Sequence, residues 1–162
     1  MPEPNINMRK LRKAGRKPTA GDVFAVGLPT DDFVFGRVIA GPLPLERAPM
    51  PGAYLVYVYR HRSKTPEPDL AKLRPDDLLL APRFINQLGW TKGYFLPVAC
   101  GAIEEGDRLP QHCFRSWSGD FLDENGRKVP GPSGPCGFWG LGNHRTLDNE
   151  ISEALGIPLA PA

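Results

Sequence analysis

The stretch Gly21-Asp22-Val23-Phe24-Ala25-Val26-Gly27-Leu28, the link Pro29-Thr30-Asp31-Asp32 and the run Phe33-Val34-Phe35-Gly36-Arg37-Val38-Ile39-Ala40 decide the fold class. Both runs are rich in β-branched and aromatic residues, and turn-forming residues separate them. So short a link joins two strands most simply as an antiparallel hairpin. Gly36, inside the second run, marks a bulge or a close backbone approach, as strong bending of a small sheet requires.

Working outward, Ala53-Tyr54-Leu55-Val56-Tyr57-Val58-Tyr59-Arg60 is the strongest strand of the chain. Its alternation puts Tyr57 and Tyr59 on one face and Tyr54, Val56 and Val58 on the other, so both faces are apolar, as in a central strand. Residues 41–52 between these runs hold four prolines and two glycines and read as a loop. Asp69–Leu73 and Pro75–Leu80 read as short helical turns, because Pro and Asp favour helix starts. Further strands are expected at Phe84-Ile85 and on through Leu88-Gly89-Trp90, at Gly93–Val98, at Cys113–Trp117 and at Phe121–Asp123. Asp123-Glu124-Asn125-Gly126-Arg127 reads as a tight hairpin, since Asn-Gly accepts positive φ. Thr146 is the expected N-cap of a closing helix. Leu147, Ile151, Ala154 and Leu155 form its apolar stripe, and Gly156 is its stop. The expected fold is mainly β (α+β): a small, strongly bent antiparallel sheet or SH3-like partial barrel, with short helical turns and a C-terminal helix.

With 19 prolines and 18 glycines among 162 residues, the chain is rich in loop formers, but these alternate with apolar runs, as in a domain of short strands. The net charge of +2 is unevenly spread. Residues 1–17 carry +5 and the remaining residues −3. This divides the chain into a disordered basic tail over 1–18 and one β-rich domain over 19–158. It also removes the high pI as an argument for a nucleic-acid-binding domain, leaving nucleic acid unlikely as a partner except through the tail. A solvated terminus is the commoner reading of such a tail. No stretch has the length of a membrane-spanning helix, and no apolar segment follows the basic run as in a secretory signal. Three cysteines, Cys100, Cys113 and Cys136, are too few and too scattered to suggest a disulfide framework, which agrees with a cytoplasmic location.

Chemistry-bearing patterns are sparse. The histidines His61, His112 and His144 lack helical metal-ligand spacing, and no Cys-x-x-Cys pair occurs. His112 and Cys113, adjacent on a strand, point to opposite faces and form neither a chelate nor a base–nucleophile pair. No cofactor is therefore expected, and no nucleophile elbow or phosphate loop is present. The aromatics are the remaining signal. Trp90 reads as core or core edge, whereas Phe138 and Trp139, in a glycine-rich loop, are better placed to meet a partner. The partner-binding candidates are Trp139, Phe138 and Trp90.

The order of motifs, more than any one of them, is similar to that of the immunity protein 26 family. Gly21-Asp22-Val23-Phe24 and Phe35-Gly36-Arg37-Val38 resemble its first hairpin. A tyrosine-rich strand, a Leu-rich segment, Gly89-Trp90-x-x-Gly93-Tyr94-Phe95 and a terminal Leu147-Asp148-Asn149-Glu150-Ile151 helix then follow, over about residues 19–156. The resemblance implies a mostly β bacterial protein that binds a cognate polymorphic toxin and neutralises it without catalysis. The family also shares annotation with a small organophosphate triesterase. That hydrolase alternative would draw on His112 and His144, with a divalent metal as its cofactor. A third alternative follows from the opening strands, which resemble those of SH3-like barrels, including small endoribonuclease toxins. On that alternative the basic tail would help to hold RNA.

Overall fold

A computed structural model describes residues 5–44 and 51–161 of the chain. The expected loop at 41–52 therefore lies partly outside the described residues. The first five strands in chain order, with one later addition, build a single curved sheet. β1 (Val23–Gly27), β2 (Phe33–Ala40) and β3 (Tyr54–Ser63) form an antiparallel meander at its centre. β4 (Arg83–Ile85) pairs with β3. A single helical turn, α1 (Leu88–Thr91), then carries the chain to β5 (Phe95–Ala99), which pairs with β1. Leu88-Gly89-Trp90 is thus helical where extended structure is expected.

β6 (Cys113–Arg115), β7 (Phe121–Leu122), β8 (Lys128–Val129) and β9 (Cys136–Phe138) make a second sheet in the order β8-β7-β6-β9. β10 (Leu141–Gly142) then returns to the first sheet beside β4, giving the order β10-β4-β3-β2-β1-β5. α2 (His144–Leu155) closes the domain. The end strands β10 and β5 do not pair with each other, so the large sheet is open and no barrel closes among the described residues.

Alternation along the central strands assigns the two sides of this sheet. Tyr54, Val56 and Val58 share one cluster with Phe24, Val34, Val38, Trp90, Phe95, Leu147 and Ile151, the side covered by α1 and α2. Tyr57 and Tyr59 lie in the other cluster with Val23, Phe35, Leu55, Phe84 and Phe114, the side covered by the second sheet. The domain is therefore three layers, helix–sheet–sheet. Gly36 is where the two central strands bend. A Cβ there would collide with the ring of Phe24, which lies across it from β1.

The N-cap of α2 lies three residues earlier than expected. Asn143 is the N-cap, its side chain accepting from the N–H groups of Arg145 and Thr146, while the Thr146 hydroxyl accepts the Asn143 N–H in return. Gly156 ends the helix in the left-handed region at φ 71°. The buried stripe is His144, Leu147, Asp148, Ile151 and Ser152, and Ala154 is exposed. Of the two expected turns before β4, Leu70–Lys72 forms a 3₁₀ turn, while residues 75–80 run past β3 with a bridge from Leu78 to Tyr59. The Asn-Gly hairpin is as expected, with Gly126 at φ 80° between β7 and β8.

The largest departure from the sequence reading is the basic segment before β1. In place of a disordered tail, residues 5–18 form a strap laid on the domain. The backbone N–H groups of Asn7 and Met8 donate to the buried Asp148 carboxylate of α2 at 2.8–3.1 Å. Arg9 then bridges to Gly27 and spreads over the ring of Phe33, with its Nε donating to the Leu28 carbonyl. Leu11 and Arg12 donate to Gly93 O, Ala14 donates to Trp90 O, and Arg16 pairs with Asp22 at 3.0 Å. Ile6, Met8 and Ala14 pack on the α2 side of the sheet, and Leu11 on the other. Charge count alone conceals these apolar anchors, because the long cationic side chains lie along apolar surface with their heads in water.

Candidate functional site

The second sheet gathers most of the polar and aromatic features that mark a working surface. It is held in three ways. A disulfide joins Cys113 of β6 to Cys136 of β9 at paired positions, which corrects the expectation of unpaired cysteines; Cys100 is free and exposed. That pairing depends on a parallel β6–β9 register, which no local spacing reveals. The rings of Phe84, Phe114 and Trp139 meet at centroid distances of 4.7–6.0 Å and fasten the second sheet to the first.

The third tie is His112. Its Nε2 lies 2.5 Å from the Tyr57 hydroxyl and its Nδ1 lies 3.0 Å from the Glu124 carboxylate. The Tyr57 hydroxyl also accepts the Leu109 N–H at 3.0 Å. An oxygen already accepting from Leu109 donates its own proton to Nε2, and Nδ1–H then donates to Glu124. Burial holds His112 below the usual imidazole range, although Glu124 acts in the opposite direction, so the ring is neutral at pH 7. Burial likewise pushes the Tyr57 phenol up to about 12. A cleft of ≈ 370 Å³ opens beside this chain of bonds, with Arg108, Gln111 and Glu124 on its walls. Both ring nitrogens of His112 and both roles of the Tyr57 hydroxyl are taken, so the arrangement ties the segment before β6 to β3 and presents no free base to a substrate.

His144 lies elsewhere. It stacks on Tyr94 at 5.2 Å on the α2 side of the large sheet, whereas His112 lies tilted against Tyr57 and stacks on Phe114 on the other. The fold thus separates the two histidines that the hydrolase alternative would need together. Among the described residues no three His, Cys, Asp or Glu side chains gather as a metal site.

The aromatic candidates also divide. Trp90 is 2% exposed, with its ring against Phe24, Tyr54 and Phe95, so it is core and cannot face a partner. Trp139 is half-buried and fastens the two sheets. Phe138 is half-buried with its ring at the surface of the second sheet, under Arg83 and edge-on to Trp117 at 5.3 Å.

Trp117 is the residue that sequence reading missed. It is 90% exposed. β6 ends at Arg115, and Trp117 stands on the following turn instead of continuing the strand. That turn is cross-braced. Ser116 N–H donates to Asp120 O and Gly119 N–H to Ser116 O, while the Ser116, Ser118 and Asp120 side chains form a line of hydrogen bonds of 2.8–3.1 Å. Gly119 supplies the positive φ of 88°. A large ring exposed on a braced turn adds nothing to the core and is left available for a contact with another molecule. The available signal was the Ser-x-Ser-Gly-Asp turn chemistry around it.

A family model described as Immunity protein 26 matches residues 19–120. No curated protein and no solved structure matches the chain. The matched span holds β1 to β6, the central meander with its Gly36–Phe24 contact, and the Trp117 turn; it ends before β7, short of the terminal helix included in the sequence resemblance. With more than half of its length and the core of its large sheet inside that span, the chain belongs to the immunity protein 26 family.

Proposed function

We propose that this chain is an immunity protein that binds one cognate bacterial toxin and neutralises it as a stoichiometric complex in the cytoplasm. The family match carries the role. The Trp117–Phe138 surface supports the means. A rigid aromatic on a braced turn loses little freedom on binding, and such rings supply much of the energy of tight interfaces. Arg83, whose guanidinium lies over the Phe138 ring at 5.9 Å and which pairs with Glu150, steadies that ring. The described residues include no helix long and apolar enough to cross a membrane.

The experiment is co-expression with the toxin encoded by the neighbouring gene. The intact chain restores growth, and Trp117→Ala weakens the purified complex about 30-fold, the scale of a hot-spot ring, with unchanged unfolding. Failure to rescue removes the immunity reading. Rescue with an unaffected Trp117→Ala variant removes only the proposed anchor.

A further inference from the structure

The strap over residues 9–17 holds six cations and no acid. Three are committed to the fold or lie on it. Arg9 covers Phe33, Arg16 pairs with Asp22, and Lys10 lies 5.8 Å from the Tyr94 ring. Arg12, Lys13 and Lys17 are exposed and form no salt bridge among the described residues. Like charges so close together repel, and a solvated tail would relieve that by spreading. Here the backbone is pinned instead. Leu11 and Arg12 donate to Gly93 O, and Ala14 to Trp90 O. Gly93, at φ 89°, sits so near the strap that a Cβ there would come within 3.2 Å of the Arg12 and Lys13 backbone. The domain thus holds concentrated positive charge at a fixed place.

Two concavities flank it. One, of ≈ 340 Å³, runs under Lys13 to Pro18 toward Trp90 and Gln87. The other, of ≈ 360 Å³, lies between Arg12–Arg16 and Pro97. Their walls combine cationic rims with Ala14, Gly15 and Pro97. A phosphodiester backbone meets cations but has no use for an apolar floor, and no exposed ring stands here on which a base could stack. An acidic peptide segment with small apolar side chains between its carboxylates matches both features.

We infer that the strap is a docking surface for an acidic protein segment, with Arg12, Lys13 and Lys17 as its cations. This goes beyond toxin neutralisation and does not depend on it. The test uses the full chain and a labelled peptide of alternating glutamate and alanine, read by fluorescence anisotropy at low salt. A single-stranded RNA of equal charge and a glutamate–serine peptide serve as comparisons. The expected result is binding of the glutamate–alanine peptide in preference to both. Affinity falls at least about tenfold in Arg12→Glu/Lys13→Glu/Lys17→Glu, and less in the corresponding glutamine variant, with thermal unfolding unchanged. Equal binding by wild type and the reversed variant overturns the inference. So does tighter binding of the RNA, which would make the strap a nucleic-acid surface. Absence of peptide binding by the wild-type chain overturns it as well, leaving a solvated face.

Discussion

Replacing Asp148 by Asn is the most direct measure of how firmly the strap belongs to the domain. The Asp148 side chain is 3% exposed, and its two oxygens take the N–H groups of Asn7 (3.1 and 2.9 Å) and Met8 (2.8 Å). Hydrogen bonds to a charged group contribute about 1.5–3 kcal/mol each. An asparagine retains one accepting oxygen, and its amide turns a donor toward a backbone N–H that needs an acceptor. One charge-assisted bond is lost, the other becomes neutral, and the expected destabilisation is about 2–3 kcal/mol. A ceiling applies, since the loss cannot exceed the free energy of docking residues 5–8. Once they detach, water solvates the side chain at position 148 and its identity matters little. Urea unfolding followed by tryptophan fluorescence measures the first effect. Removing residues 1–8 measures the ceiling, and in that background Asp148→Asn should cost less than about 0.5 kcal/mol. A full-length Asp148→Asn variant within about 0.5 kcal/mol of wild type, or strict additivity with the deletion, would refute the reasoning.

Other substitutions probe the remaining contacts. Gly36→Ala forces a methyl into the Phe24 ring, and the expected cost is about 1–3 kcal/mol in urea unfolding, with Phe24→Leu in the same chain recovering part of it. Tyr57→Phe strands both the Leu109 N–H and His112 Nε2, and should destabilise by about 1–3 kcal/mol. Because burial lowers the folded His112 pKa beneath its unfolded value near 6.5, the unfolded chain binds the proton first. Stability contributed at this ring is therefore full above that value and falls with pH down to the folded pKa; in His112→Gln this part of the pH dependence of unfolding flattens. Reducing the Cys113–Cys136 bridge opens a loop with a sequence separation of 23, worth about 3 kcal/mol by chain entropy, and Cys136→Ser should reproduce the loss without further change on adding reductant.

The parts of the fold legible in the sequence are those fixed by short-range pattern. The β1–β2 hairpin, the opposed faces of Tyr54 and Tyr57, the Asn-Gly turn and the Gly156 stop all follow from period-two alternation or from backbone conformations that few residues accept. What escaped is set by distant partners. Met8 and Leu11 become anchors only because Asp148 and Gly93 wait for them, 140 and 82 residues away. The disulfide needs the β6–β9 register, and the N-cap is Asn143 instead of Thr146, the two residues sharing one reciprocal capping box in which asparagine is the better cap. At the candidate site, Phe138 is half-buried on β9 where a loop is expected, Trp90 is drawn inward by Phe24 and Phe95, and Trp117 stands on a braced turn where the end of a strand is expected.

The bond between Asn7 and Asp148 also has a temporal side. It spans 141 residues, the length of almost the whole chain. Loop closure on that scale comes late in folding, after the local hairpins have formed. On the ribosome residues 5–8 emerge before the sheet and find their carboxylate only when α2 has cleared the exit. The cations of residues 9–17 need not wait, because their partners Gly27, Gly93, Trp90 and Asp22 all precede α2. A shortened chain ending before α2 would therefore seat its positive segment and leave residues 5–8 undocked. Docking of Asn7 and Met8 thus reports that synthesis has run through α2.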